Sequence, residues 1–321
     1  MANVDKIKYI LNEPFTDFLK NLLHEKFYSG SSDKVVQLLE VGCGPGDFAL
    51  ILKDTLKDKI NITAIDPSDD IEQALNKSTG SDVRFLKEDI FTFKPDQQFD
   101  LVLFSKSLHH CNPVDQALKN AHTLLAENGV LIAEEIQFEA INNDDVTWFL
   151  NRIDLVRAGG HFVSLEERLK TAGPTQKPMI TRILDSSLPI SQRWFKPHTH
   201  GSASEQGHVH GEEHQYHHQA HEHHHQHEKL SDEEQKRLDR EDPDKIASSN
   251  AICIAIDAQF GKENIQLDFV PFFYQFFVHF GIKSDEVCQA ILREALKQEQ
   301  IAIKENKLHP FGLNIIATKK N

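Results

Sequence analysis

Cysteine is scarce in this chain: four in 321 residues, Cys43, Cys111, Cys253 and Cys288, with no Cys-x-x-Cys spacing. That excludes a disulfide framework and a cysteine-based zinc site, and it fits a reducing compartment such as the cytosol. Long apolar runs are also missing. A membrane span needs ~20 consecutive apolar residues, and the aromatic stretch Phe269 to Phe280 is broken by Pro271, Gln275 and His279. Met1 to Phe15 carries Asp5, Lys6, Lys8 and Glu13, so it lacks the apolar centre of a secretory signal. The expectation is a cytoplasmic protein with no membrane partner. Basic charge is short as well. With 35 Lys plus Arg against 49 Asp plus Glu, the formal net charge is −14. Such a surface repels a phosphate backbone, so no nucleic-acid partner is expected.

What is present is a pattern whose period changes along the chain. Phe15, Phe18, Leu19, Leu22, Leu23 and Phe27 recur at three- and four-residue steps, predicting a helical cap over residues 1–33 whose helix Asn12 and Pro14 open. Over 34–140, strands are expected at Val35–Val41, Ile60–Asp66, Val83–Leu86, Phe99–Ser105 and Val130–Glu135. Helices are expected at Phe48–Leu56, Ile71–Lys77 and Val114–Ala126. Strands alternating with helices of this length imply right-handed parallel crossovers, hence an α/β, doubly wound, mainly parallel sheet.

Residues 141–196 show helical periodicity, in Val146, Phe149, Leu150 and Ile153 and again in Leu165 and Leu169, and read as a lid or insertion. Composition then breaks. Pro197 to Glu228 holds twelve of the nineteen histidines among Gln, Glu and Gly, so residues 197–245 read as a disordered low-complexity loop with no ordered frame for a metal. Order returns over 246–321, with Ile252–Ile256, a strand at Ile265–Phe273, a helix at Glu286–Ile301 and a final strand at Pro310–Thr318 that adds an antiparallel edge.

The chemistry concentrates after the first strand. Glu40-Val41-Gly42-Cys43-Gly44-Pro45-Gly46 runs from an apolar strand into a helix, and glycines there permit a sharp turn and close ligand approach to backbone N–H groups. A dinucleotide fingerprint, Gly-x-Gly-x-x-Gly, would need a third glycine at position 47, where Asp47 stands and would repel a pyrophosphate. Asp66, at the end of the second expected strand, is placed to accept hydrogen bonds from ribose hydroxyls.

This loop resembles motif I of class I S-adenosylmethionine-dependent methyltransferases. So do, in order, Phe85 to Ile90, Phe99 to His110 with its paired histidines, and Leu124 to Ile132, in which Asn128-Gly129 ends a helix. The resemblance implies a Rossmann-like seven-stranded sheet, S-adenosyl-L-methionine as cofactor, and methyl transfer to a small-molecule or protein side-chain acceptor. It implies that Gly42, Cys43, Gly44 and Gly46 pass under the cofactor's methionine part, that Glu40 holds its cationic end, that Asp89 and Ile90 meet the adenine, and that Ser105 lies beside the cofactor. His109 and His110 are candidate catalytic residues, for a near-neutral imidazole can take a proton from the acceptor. Lys106, Glu134, Glu135 and His161 are lesser substrate-side candidates that read first as surface charges or core contacts. Neither an Asn/Asp-Pro-Pro-Tyr/Phe tetrapeptide nor a Pro-Cys pair of nucleic-acid methylation follows the fourth strand. A non-catalytic scaffold keeping the same fold is the alternative.

Overall fold

The computed structural model describes residues 4–28, 34–173, 176–194 and 246–320; the histidine-rich tract lies outside them. Seven strands form one sheet in the order β3-β2-β1-β4-β5-β7-β6. β1 (Val36–Val41), β2 (Ile60–Ile65), β3 (Arg84–Leu86), β4 (Phe99–Ser105) and β5 (Leu125–Ile136) pair in parallel. β7 (Gly312–Thr318) lies antiparallel between β5 and β6 (Ile265–Val270), so antiparallel pairing completes that side of the sheet. The central strands are Val, Ile and Leu runs buried on both faces, as a sheet covered twice requires.

α1 (Lys6–Phe27) and α2 (Asp47–Leu56) cover one face, where Leu19, Leu23, Leu50 and Leu52 join Leu38, Leu101, Ile132 and Ile316. α3 (Ile71–Lys77) follows β2. The other face is covered by α4 (Val114–Leu124) and α9 (Ser249–Phe260), with Leu118, Ala121, Ile252 and Ile256 against Val102, Phe104, Leu131 and Ile315. A third cluster joins α5 (Asn143–Ala158), α6 (Leu165–Thr171), α7 (Gln176–Leu184) and α8 (Ile190–Trp194) to α10 (Phe273–His279) and α11 (Glu286–Lys304). Its centre is aromatic: Phe149 stacks on Phe273 with centroids 4.9 Å apart, and Phe273 on Phe311 at 4.8 Å.

Three sequence expectations are corrected. α1 begins at Lys6 because Asp5 caps it by accepting from the Ile7 N–H, which leaves Pro14 inside the helix. An interior proline costs about 3 kcal/mol. Burial of Ile7, Ile10, Phe15, Leu19 and Leu23, at roughly 1.5–3 kcal/mol each, outweighs it. β6 stops at Val270, since Pro271 lacks the ladder N–H and Phe273 opens α10. α4 ends at Leu124, and Asn128-Gly129 instead turns inside β5, with Asn128 at φ +58°.

Candidate functional site

All parallel strands aim their carboxyl ends at one edge, and the candidate residues gather there. The turn after β1 is held by its own backbone: the Gly42 and Cys43 N–H groups both donate to the Ile65 carbonyl, at 2.8 and 3.1 Å. Gly42, Gly44 and Gly46 all have positive φ, +73°, +50° and +75°. A Cβ on Gly42 would stand 2.5 Å from Cβ of Ser107, and one on Gly46 would stand 2.6 Å from Cβ of Ala74 and 2.7 Å from the Phe85 ring. Around Gly44 there is nothing within 4 Å. Two of the glycines therefore let the turn pack on the segment after β4 and on α3 and β3, and the third faces open space where a ligand can approach.

Asp66 locks this turn. One oxygen accepts the Gly44 N–H at 2.7 Å; the other accepts both the N–H and hydroxyl of Ser68. A carboxylate has about four acceptor directions, so three are used within the turn and one is left. Asp47, at the first turn of α2, is bound by Lys8 and by Lys77 at 2.7 Å. Asp89 accepts the Phe91 N–H at 3.0 Å and presents the following Ile90, which is buried.

Glu40 is 2 % exposed, and its Oε2 has no hydrogen-bond partner among the described residues. Burial pushes its pKa up to about 8; Lys106 opposes that shift, and Asp66 and Asp47 add to it. A buried carboxyl left this way is stabilised by an arriving cation, and S-adenosylmethionine carries an ammonium and a sulfonium. The orphaned oxygen and the open space over Gly44 fit that cofactor.

The end of β4 adds a network that the sequence reading undervalued. Lys106 sits in the left-handed region at φ +59° and donates its backbone N–H to the Glu134 carbonyl at 2.8 Å. This turn sends its ammonium inward, 3.3 Å from Glu134, 3.1 Å from the Gln275 amide oxygen and 3.5 Å from that of Asn12. Glu134, 3 % exposed, also accepts from Ser105 at 3.2 Å and from Gln275 at 2.9 Å. Thr16 and Asn314 escaped notice in the sequence, where Asn12 was read only as a helix opener and Gln275 only as a break in an aromatic run. The available signal for Asn314 was an amide inside the apolar run Leu313 to Ile316.

The two histidines occupy unlike places. His109 is buried, with Nδ1 2.5 Å from Glu135, whose other oxygen accepts the Leu108 N–H. Glu135 points to the α4 face of the sheet, opposite Glu134. His110 lies with its ring centroid 4.1 Å from that of His109 and has an exposed edge. Desolvation by the surrounding protein, then the neighbouring His109, lowers its pKa to about 4, so it is neutral at neutral pH. His161 is remote, its carbonyl accepting the Lys283 N–H. No group of three or more metal-ligating side chains occurs among the described residues. No described helix is long and apolar enough to cross a membrane. A groove of about 600 Å³ lined by Arg84, Glu88, Lys94 and Asp96 shares none of the residues around the turn.

Residues 39–133 match the family model described as a methyltransferase domain. Sheet order, turn and match together give this stretch the architecture of the cofactor-binding core of class I S-adenosylmethionine-dependent methyltransferases. Among relatives, an uncharacterized methyltransferase of Staphylococcus carnosus (strain TM300) is 29% identical over 164 residues, 50% of this chain and 72% of that protein. The mitochondrial arginine-hydroxylase NDUFAF5 of Rattus norvegicus is 33% identical over 126 residues, 36% of this chain and 34% of its own length. A ubiquinone biosynthesis O-methyltransferase of Rickettsia bellii (strain OSU 85-389) is 29% identical over 36% of this chain and 49% of its own. Among solved structures, the N-methyltransferase NodS of Bradyrhizobium japonicum WM9 with S-adenosyl-l-homocysteine covers 40% of this chain and 63% of its own, at 23% identity and a TM-score of 0.32. The similarity to the hydroxylase and to the ubiquinone enzyme thus spans half or less of each relative.

Proposed function

We propose that this chain transfers the methyl group of S-adenosylmethionine to a nucleophile of a small-molecule acceptor held beneath α1 and α10. The observation that carries the reading is the orphaned carboxyl of Glu40 beside the open face of Gly44. Relatives bearing this core are named for N-methyl transfer, O-methyl transfer and arginine hydroxylation. The acceptor is therefore argued from this chain's own residues.

The cofactor, when bound, supplies a methyl group already activated by the sulfonium. In this reading Glu40 holds its ammonium, the turn from Gly42 through Cys43 and Gly44 to Gly46 lies along its methionine part, Asp89 and Ile90 border the adenine, and Ser105 borders the acceptor side. Asp66 keeps the turn in shape and offers its one remaining acceptor direction. Placing nucleophile and methyl carbon in line can be worth ~7–11 kcal/mol, which suits a site built of fixed hydrogen bonds. Of the two histidines, His110 is the proposed proton acceptor, since its ring has no hydrogen bond among the described residues. His109 orients the turn through Glu135.

Calorimetry with S-adenosylhomocysteine, which keeps the ammonium, tests the reading. Glu40 carries a proton over much of the neutral range, and an ammonium arriving beside it favours the charged form. Binding near pH 7 is expected to be saturable and to release a fraction of a proton, seen as a dependence on buffer ionisation enthalpy. Glu40→Gln is expected to abolish the release and weaken binding about tenfold or more. Absence of saturable heat at millimolar ligand would discard the proposal and favour a scaffold.

A further inference from the structure

Sheet register places four polar side chains in one rung on the α1 face. Ser105 pairs with Glu134, Glu134 with Asn314, and Asn314 with Asp268, so the four cross β4, β5, β7 and β6 at strand spacings of about 4.8 Å. Glu40 stands one rung below on the same face, opposite Leu103. Apolar residues fill that lower rung, at Leu103, Ile132 and Ile316, so the polar rung is a local departure at the carboxyl edge.

Two groups there have no hydrogen-bond partner among the described residues. Asn314 is 4 % exposed and its Oδ1 accepts nothing; Thr16 is 6 % exposed and its Oγ1 makes no hydrogen bond. Thr16 lies one turn beyond Asn12 on α1, hence on the helix face that meets Lys106. A buried polar atom left unmade costs about 1–3 kcal/mol, which a ligand can restore. The occupant's chemistry follows from what surrounds it. Glu134, Asp268 and the amide oxygens of Asn12 and Gln275 are acceptors or negative charges, and Lys106 is the cation in contact with Glu134, Asn12 and Gln275. Its ammonium already consumes three of those oxygens, and the unmet Asn314 oxygen extends the same acceptor-rich patch beyond its reach.

We infer that the rung Glu134–Asn314, roofed by Thr16, is the acceptor subsite, and that it receives a cationic nitrogen group, an amine or guanidine of a small molecule. The inference rests on the methyltransferase reading for the word acceptor, and on the rung alone for the ligand's charge. A carboxylate or phosphate there would meet Glu134 and Asp268, and a purely apolar group would leave Asn314 and Thr16 unpaired.

The test uses the full chain saturated with S-adenosylhomocysteine and a matched fragment set of butylamine, butylguanidine, butanol and butyrate, titrated by NMR. The amine or guanidine is expected to saturate at concentrations at least about tenfold below the alcohol and carboxylate. Asn314→Leu and Thr16→Val should each weaken it roughly tenfold, with homocysteine-nucleoside affinity unchanged. Asn314→Asp should tighten it, and this decides the matter if the leucine variant does not fold. Cofactor-product binding with no cation preference, or with no fragment binding, overturns the subsite. Amine binding without S-adenosylhomocysteine binding keeps the subsite and sinks the cofactor reading instead.

Discussion

A methyl group added at Gly46 would stand 2.6 Å from the Ala74 Cβ and 2.7 Å from the Phe85 ring, on a backbone at φ +75°, and neither neighbour is a flexible side-chain end. At Gly44 the same methyl meets nothing, and only the left-handed conformation resists it. Gly46→Ala is therefore expected to cost roughly 2–4 kcal/mol in denaturant melts. Gly44→Ala should cost about 1 kcal/mol while weakening S-adenosylhomocysteine in calorimetry; equal stability losses would refute the division. At this scale the sequence displayed the three glycines and Glu40 without showing that their tasks differ. Alternate spacing reports a turn, whereas the neighbours that crowd Gly42 and Gly46 arrive from Ser107, Ala74 and Phe85, all distant in sequence. The same limit hid the rung: Ser105, Glu134 and Asn314 become neighbours only through sheet register, and Asn314 alone in a strand carries no sign of its partners.

α10 shows how an element far along the chain enters the site. Glu299, on α11 and fully buried, accepts the backbone N–H groups of Phe272, Phe273 and Tyr274 at 2.6, 2.8 and 2.9 Å, so one carboxylate caps the start of α10. Gln275 follows directly and bridges Lys106 and Glu134. Glu299→Ala leaves three buried donors unmade at about 1–3 kcal/mol each, before relaxation lets water in. Loss of at least about 3 kcal/mol is expected in urea melts, together with faster hydrogen exchange at residues 272–275. Unchanged exchange there would show that α10 is held by the aromatic cluster alone. The strands and helices of the core were legible because continuous apolar runs and 3.6-residue stripes are local signals. α10 was not, because Phe269 to Phe280 is mostly aromatic and apolar, and periodicity cannot separate a strand from a buried helix in such a run; the capping carboxylate lies twenty-six residues from Phe273.

For the whole molecule, two sets of buried groups pull stability in opposite directions with pH. Burial raises Glu40 to about 8, and burial raises Glu299 to about 7 against the hydrogen bonds that lower it. A group with a raised folded pKa stabilises fully below its unfolded value, near 4.5, and that contribution is lost as pH climbs through the folded value. Burial lowers His279 to about 4, with Arg168 adding to the effect, and His110 moves likewise. Those contributions are present above the unfolded value, near 6.5, and are lost as pH falls. Between pH 4.5 and 6.5 the two sets oppose each other. Above 6.5 both histidines are neutral in either state, so the carboxyls act alone and the free protein should lose stability from pH 6.5 to 8. Denaturant melts across that window should show the decline, and Glu40→Gln should remove the part extending above pH 7. Saturating S-adenosylhomocysteine should flatten it too, because an ammonium beside Glu40 draws its pKa back down. A decline that persists unchanged in both cases would place the titrating group elsewhere and leave Glu40 without a cationic partner.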